Sequence, residues 1–171
     1  MQPEFHRPLA LARIPPEGRR ESLRASPAEC AALAQRFGIP AVNRFAAELE
    51  LKPESGGGVA IEGRISAEVV QDCVVTLEPV VQRVDEAVQL RILGPGEEVS
   101  DDPEAPDDIE APGGVADLGE ALAEQLALAL DPYPRAPGAV LPEDVAPPEP
   151  EAPAEPRPSP FAGLAALRGR K

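Results

Sequence analysis

Few side chains in this sequence have the chemistry that catalysis requires. The chain has one histidine, His6, and two cysteines, Cys30 and Cys73. A general base or an activated thiol needs a partner group within hydrogen-bond reach, and no histidine lies near either cysteine in the sequence. We therefore expect Cys73 to be a buried structural residue and the protein to be non-enzymatic.

Motifs that bind metals, phosphates or other cofactors are also missing. Residues 56–58 are all Gly, but the Lys and Ser or Thr of a phosphate-binding loop do not follow them. The carboxylates of residues 97–110 lack the glycine-punctuated order of a calcium loop. Two cysteines do not make a disulfide framework, which favours a reducing compartment. We expect no cofactor and a cytoplasmic location.

Charge is distributed very unevenly along the chain. The net charge is −14, and residues 95–155 carry 17 acidic side chains against one basic side chain, Arg135. Such a segment suits a basic protein partner, and a solvated insert that only keeps the protein in solution is the alternative. The candidate acidic contacts in this segment are Asp101, Asp102, Asp107 and Asp108. The candidate contacts to RNA phosphates are Arg19, Arg20 and Arg24, and simple solvation is again the alternative.

Periodicity predicts an α+β domain over residues 1–136. We predict a strand over 5–14, a loop over 15–25, and a helix that begins with a Ser26–Glu29 capping box and ends at Gly38. Alternating apolar residues then predict three antiparallel strands, the second with a bend or bulge near Gly63. The inward positions of these strands are Phe45, Ala47, Leu49 and Leu51, then Val59, Ile61, Ile65, Val69 and Cys73, then Val84, Val88, Leu90 and Ile92.

The remaining residues predict one more helix and two irregular segments. Residues 97–114 are expected to form a flexible acidic loop, after which Asp117 begins a helix that carries Leu118 and Leu122 on one side. Residues 137–158 form a disordered Pro/Ala/Glu-rich linker in this prediction. Residues 159–171 follow as a short helix that docks on its own domain or on a partner. The predicted fold is an antiparallel sheet of three to five strands with two helices on one face.

Three stretches of the sequence together resemble a known family. They are Gln71-Asp72-Cys73-Val74-Val75-Thr76-Leu77-Glu78-Pro79-Val80, the stretch from Asp117-Leu118-Gly119-Glu120 to Asp131-Pro132-Tyr133-Pro134-Arg135, and Ser159-Pro160-Phe161-Ala162-Gly163-Leu164. In this order they are similar to the YceD family, in the variety typical of alphaproteobacteria. The residues that carry the resemblance are Cys73, Leu77, Pro79, Asp117, Leu118, Pro132, Tyr133, Arg135 and Phe161.

The resemblance implies a role in the synthesis, processing or stability of large-subunit ribosomal RNA. Many relatives have Cys-x-Arg-Cys where this chain has Cys73-Val74-Val75-Thr76, and further cysteines in some relatives suggest a metal site. Cys73 alone cannot hold a four-coordinate zinc ion, so we expect a metal-free protein.

These observations predict a non-catalytic binding factor of ribosome biogenesis. The expected partner is a ribosomal protein or ribosomal RNA of the large subunit, with no membrane contact, since no apolar run approaches the ~20 residues of a membrane span. The alternative is a protein-binding adaptor with no role in ribosomal RNA, which acts through the acidic loop and the C-terminal helix. The oligomeric state is left open.

Overall fold

The computed structural model describes residues 3–103 and 105–140. The regular elements, in chain order, are β1 (Pro8–Ala10), β2 (Arg19–Arg24), α1 (Pro27–Phe37), β3 (Ala41–Pro53), β4 (Val59–Asp72), β5 (Pro79–Ile92), β6 (Asp107–Ile109), β7 (Val115–Asp117) and α2 (Leu118–Ala129). Two short 3₁₀ turns occupy Leu11–Arg13 and Pro112–Gly114.

The main sheet has the strand order β2-β3-β4-β5-β6. Strands β2 to β5 pair antiparallel, and β6 pairs parallel to β5. Strands β1 and β7 form a separate two-stranded antiparallel sheet. The predicted α+β class and the meander of three long strands are therefore confirmed. All the predicted inward positions of these strands are buried, as alternation with one solvated face requires.

Both helices contribute to the hydrophobic core on one side of the sheet, as predicted. Helix α1 begins with the expected capping box, in which Ser26 accepts from the Glu29 N–H and Glu29 accepts from the Ser26 N–H. It ends at Gly38, whose φ of 66° is the left-handed cap. Leu33 of α1 and Leu122 of α2 are fully buried in the same core cluster as the inward residues of β3, β4 and β5.

The N-terminal prediction was wrong in two places. The strand expected over 5–14 is limited to β1 and is followed by a 3₁₀ turn. The segment expected to be a loop over 15–25 contains β2, which pairs along its length with β3. Exposed Arg20 and Arg24 alternate with half-buried Leu23. This strand looks polar because it is an edge strand with one face in solvent, where charged residues are favoured.

No bulge occurs at Gly63. The pairing of β4 with β3 and with β5 runs through Gly63 without a shift, and the irregularity lies instead between Val42 and Arg44 of β3. A Cβ atom at Gly63 would lie 2.2 Å from the carbonyl oxygen of Glu48. Glycine is therefore needed here for the close approach of two backbones rather than for a bulge.

The acidic segment 97–114 is partly regular. Its residues Asp107–Ile109 form β6, which pairs with Leu90–Ile92, and the turn Pro112–Gly114 follows. The predicted linker 137–158 extends beyond the described residues after Val140, and the predicted helix 159–171, with Phe161, lies wholly outside them. Among the helices that are described, none is long and apolar enough to cross a membrane.

Candidate functional site

Two distant sequence stretches meet at one end of the β4–β5 hairpin. The turn that joins these strands is closed by hydrogen bonds from the Cys73 N–H to the Glu78 carbonyl (2.8 Å) and from the Leu77 N–H to the Cys73 carbonyl (2.9 Å). Leu77 has a φ of 60°, which is unusual for a residue with a large side chain. The turn thus presents a leucine in a strained conformation, a feature that clusters at functional sites.

The segment that follows α2 packs against this turn through its backbone. The Val74 N–H donates to the Pro134 carbonyl (2.9 Å), and the Ala136 N–H donates to the Cys73 sulfur (3.3 Å). Pro134 is buried, so the segment is anchored at its centre. The two stretches therefore form one structural unit, although they are about sixty residues apart in sequence.

Two glutamines fasten the start of the same segment. Gln71 is buried and donates from Nε2 to the Asp131 carbonyl (2.9 Å). Gln82 donates to the Ala129 carbonyl (3.2 Å) and accepts from the Asp131 N–H (3.2 Å). These bonds satisfy backbone groups at the C-terminal end of α2, so the segment begins in a defined position beside β4 and β5.

Cys73 is a buried thiol surrounded by backbone donors. Its sulfur accepts from the N–H groups of Ala136 (3.3 Å), Val75 (3.4 Å) and Thr76 (3.4 Å), and its side chain has no exposure. The hydrogen bond from the Ala136 N–H has the largest effect on the pKa of Cys73. Together with the contacts from Thr76 and Val75 it lowers this pKa to about 7, although burial acts in the opposite direction. No histidine contacts the sulfur among the described residues, and the buried position predicted for Cys73 is confirmed.

The outer side of this unit is apolar and exposed. Leu77 and Tyr133 are 77% and 72% exposed, and Val74 is 48% exposed. Arg135 is also exposed and forms no ion pair with any described residue. We call Val74, Leu77, Tyr133 and Arg135 the tip surface. A rigidly held set of exposed apolar side chains beside one cation is suited to binding, since such patches mark interaction sites.

The other family-motif residues have structural positions. Pro79 is exposed at the first position of β5, opposite Asp72, and Pro132 is exposed between the two ends of the docked segment. Leu118 is buried in α2. Asp117 caps this helix by accepting from the Gly119 and Glu120 N–H groups, as predicted.

The N-terminal arginines differ in how accessible their side chains are. The Arg7 guanidinium forms an ion pair with Glu29 at 2.6 Å, and the Arg7 backbone N–H donates a hydrogen bond to Asp117. Arg19 pairs with Glu21 on β2. Arg20 and Arg24 are exposed on the outer face of the same strand. Of the three predicted RNA contacts, Arg20 and Arg24 thus remain accessible, whereas Arg19 is already paired.

The acidic candidates lie around β6 and the loop before it. Asp107 accepts from Nε2 of Gln125 (2.6 Å), and Asp108 accepts from the Ser100 N–H (2.7 Å). Asp101 and Asp102 are exposed in the preceding loop. Sequence reasoning did not single out exposed Leu128 of α2, 77% exposed beside this region. The sequence could have indicated this exposure, because Leu128 does not belong to the series Leu118, Leu122 and Leu126 that marks the buried side of the helix.

A metal site is not assembled in the part of the chain that the structure describes. No group of three His, Cys, Asp or Glu side chains with ligand geometry occurs there. Thr76, at the position of the second cysteine of the resembled motif, is exposed and contacts Glu78 (3.3 Å). Absence of a bound metal stays a prediction.

Comparison with known proteins identifies one family. The family model described as "Large ribosomal RNA subunit accumulation protein YceD" matches residues 61–168, which is more than half of the chain. This range includes the turn with Cys73, all of α2 and the docked segment that carries Tyr133. No curated protein and no solved structure matches the chain. By the extent of the family match, this chain belongs to the YceD family.

Proposed function

We propose that this protein is a non-catalytic binding factor that supports the accumulation of large-subunit ribosomal RNA in the cytoplasm. The tip surface is the part of the molecule that would hold its ribosomal partner. The observation that carries this proposal is the meeting of residues 71–80 with residues 131–136 around the Cys73 sulfur. Both segments lie within the range of the family match.

The chemistry of the tip supports binding rather than catalysis. Its exposed groups are two aliphatic side chains, a phenol and a guanidinium. Aromatic residues and Arg dominate the energetics of protein interfaces, and they also stack on bases or contact phosphates in RNA. The partner would accordingly be a ribosomal protein or ribosomal RNA. Arg20 and Arg24 would be secondary phosphate contacts on the outer face of the sheet, and Arg19, half-buried and paired with Glu21, would be a weaker one.

The experiment that tests this proposal replaces the apolar part of the tip. Cells that depend on a plasmid copy of the gene would carry Leu77→Ser together with Tyr133→Ser, and their ribosomal RNA would be measured on sucrose gradients. We expect large-subunit RNA to fall relative to small-subunit RNA. Because both side chains are exposed, the variant should unfold at the same temperature as the unchanged protein.

A matched control separates the tip from general changes of the surface. Val115 of β7 is an exposed apolar residue outside the tip, and Val115→Ser should leave both RNA species unchanged. If the tip variant folds normally and large-subunit RNA does not fall, the tip is not the functional surface. Cleavage or modification of precursor RNA by the purified protein with magnesium would show that the protein is an enzyme.

The adaptor alternative is distinguished by the molecules that the protein captures. A tagged copy would be recovered from its own cells with and without ribonuclease treatment. Ribosomal RNA or ribosomal proteins are expected in the recovered material, and their loss after ribonuclease would identify RNA as the direct contact. Recovery of an unrelated protein without ribosomal material would contradict the proposed role.

A further inference from the structure

A groove lies between helix α2 and the loop that leads into β6. It has a volume of about 430 Å³, and its apolar lining includes Val99, Ala121 and Leu128. Four of its lining residues are carboxylates, listed here: Asp102, Asp107, Asp108 and Glu124. Val99 is 56% exposed and Leu128 is 77% exposed. We call this the acidic groove.

A second depression extends the acidic groove toward β5. It has a volume of about 380 Å³, shares Gln125 and Leu128 with the first, and adds Glu86 and Val88. No Lys or Arg is among the described residues that line either depression. The lining around Leu128 is therefore partly apolar, and its charged residues are all negative.

Hydrogen bonds hold two of the carboxylates in place. Asp107 is fixed to α2 by Gln125, and Asp108 is fixed to the loop by the Ser100 N–H. Each bond engages one oxygen and leaves the other oxygen of that carboxylate outside these contacts. Glu124 is exposed on α2 one residue before Gln125. The fold thus determines the positions of the carboxylates around the apolar lining of the groove.

We infer that the acidic groove binds a basic segment of a partner protein, in which aliphatic side chains lie between Lys or Arg residues. Aliphatic groups would pack on Leu128 and Val99, while the cations would pair with the surrounding carboxylates. RNA is disfavoured because its phosphates would face several carboxylates and no cation. The inference deepens the proposed binding function, because it names the class of partner, and it uses a surface separate from the tip.

The test uses the full chain and a defined probe. A fluorescent peptide of alternating Lys and Leu would be titrated with the protein, and binding followed by fluorescence anisotropy at low and moderate salt. Two matched peptides, in which Glu replaces Lys or Ser replaces Leu, should bind weakly or not at all. Leu128→Ser should weaken binding of the Lys–Leu peptide about fivefold to tenfold.

The acidic contribution is tested with Glu86→Gln combined with Glu124→Gln. We expect about threefold weaker binding at low salt and a smaller effect at moderate salt, because salt screens exposed charges. The controls match these variants closely. Val81 of β5 is 59% exposed and lies outside both the acidic groove and the tip surface, so Val81→Ser should leave the affinity unchanged. Glu17→Gln removes a carboxylate outside the groove and should likewise leave the affinity unchanged.

Several results would overturn the inference. Equal affinity of the Leu128→Ser variant and the unchanged protein would exclude the groove as the site, and so would equal weakening by Val81→Ser. Residues 159–171 carry Arg168, Arg170 and Lys171 and no acidic side chain. Tighter binding after Leu164→Ser with Leu167→Ser would identify this segment, rather than a partner, as the natural occupant. The peptide affinities are independent of ribosomal RNA levels, so failure of this inference and failure of the proposed function are distinguishable.

Discussion

The sulfur of Cys73 accepts a hydrogen bond from the backbone N–H of Ala136 at 3.3 Å, across 63 positions of the sequence. This contact joins the β4–β5 turn to the segment after α2 and favours the thiolate over the thiol. Cys30, by contrast, is a core residue of α1 whose pKa is raised by burial. The two cysteines of the chain are thereby expected to titrate in different pH ranges.

The ultraviolet absorbance of the Cys73 thiolate should titrate with a midpoint at about pH 7. The measurement is best made on the Cys30→Ala variant, with Cys30→Ala/Cys73→Ala as the blank. The pKa of Cys73 is lower in the folded than in the unfolded chain, so ionisation of Cys73 stabilises the fold. This stabilisation is fully present above the pKa that Cys73 has in the unfolded chain. It is lost as the pH falls through about 7. A midpoint near that of a free thiol would contradict this assignment.

Glu29 should make the protein sensitive to acid. The hydrogen bond from Arg7, followed by those from Ser26, lowers the pKa of Glu29 to about 2 from its ordinary value of 4.5. A lowered pKa means that the stabilisation is present above pH 4.5 and is lost as the pH falls from 4.5 toward 2. We expect Glu29→Gln to cost about 1–2 kcal/mol at neutral pH after allowance for solvent screening.

The check is urea unfolding as a function of pH. The free-energy difference between the unchanged protein and Glu29→Gln should shrink as the pH falls through this range. Glu17→Gln, at an exposed position, serves as the control. A difference that stays constant down to pH 2 would show that the ion pair with Arg7 does not stabilise the folded state.

Gly119→Ala should be among the most damaging small substitutions in the chain. A Cβ atom there would lie 1.9 Å from the carbonyl oxygen of Phe5 and 2.9 Å from the Arg7 nitrogen, both backbone atoms. Alanine normally favours a helix over glycine by about 1 kcal/mol, so a loss of about 3 kcal/mol would be due to this clash. Thermal and urea unfolding measure the effect.

Gly113→Ala is the matched control for that substitution. Gly113 has a φ of 66° and open space around the position of a Cβ atom. Only the left-handed backbone conformation opposes the alanine, at a cost of about 1 kcal/mol. If the two variants lose the same stability, the backbone at Phe5 and Arg7 does not approach α2 as closely as these distances indicate.

Gln82→Ala should loosen the docked segment without unfolding the domain. The variant removes the bonds from Gln82 to the Ala129 carbonyl and from the Asp131 N–H, for a loss of about 1–2 kcal/mol. Hydrogen exchange of the Asp131 and Ala136 amides should become faster. Gln89→Ala, at an exposed position of the same strand, should leave these amides unchanged, and equal exchange in both variants would exclude the proposed anchoring.

Local sequence signals determined much of the fold. Helix α1 begins and ends as Ser26, Glu29 and Gly38 predict, because caps satisfy backbone groups with residues three or four positions away. The inward residues of β3, β4 and β5 follow the period of two, since each strand has one buried face. The Asp117 cap of α2 could be predicted from the same capping signals, and the buried position of Cys73 from the same period of two.

Tertiary structure alone decided the features that depend on distant pairing. Strand β2 carries two exposed arginines and is a strand because β3 offers it a hydrogen-bonding edge, and β6 pairs in the same way with β5. The contact between the Cys73 turn and residues 131–136, and the acidic groove between α2 and the β6 loop, likewise join separate segments. A sequence pattern reports which face of an element is buried, whereas the neighbour that buries it depends on packing of the whole chain.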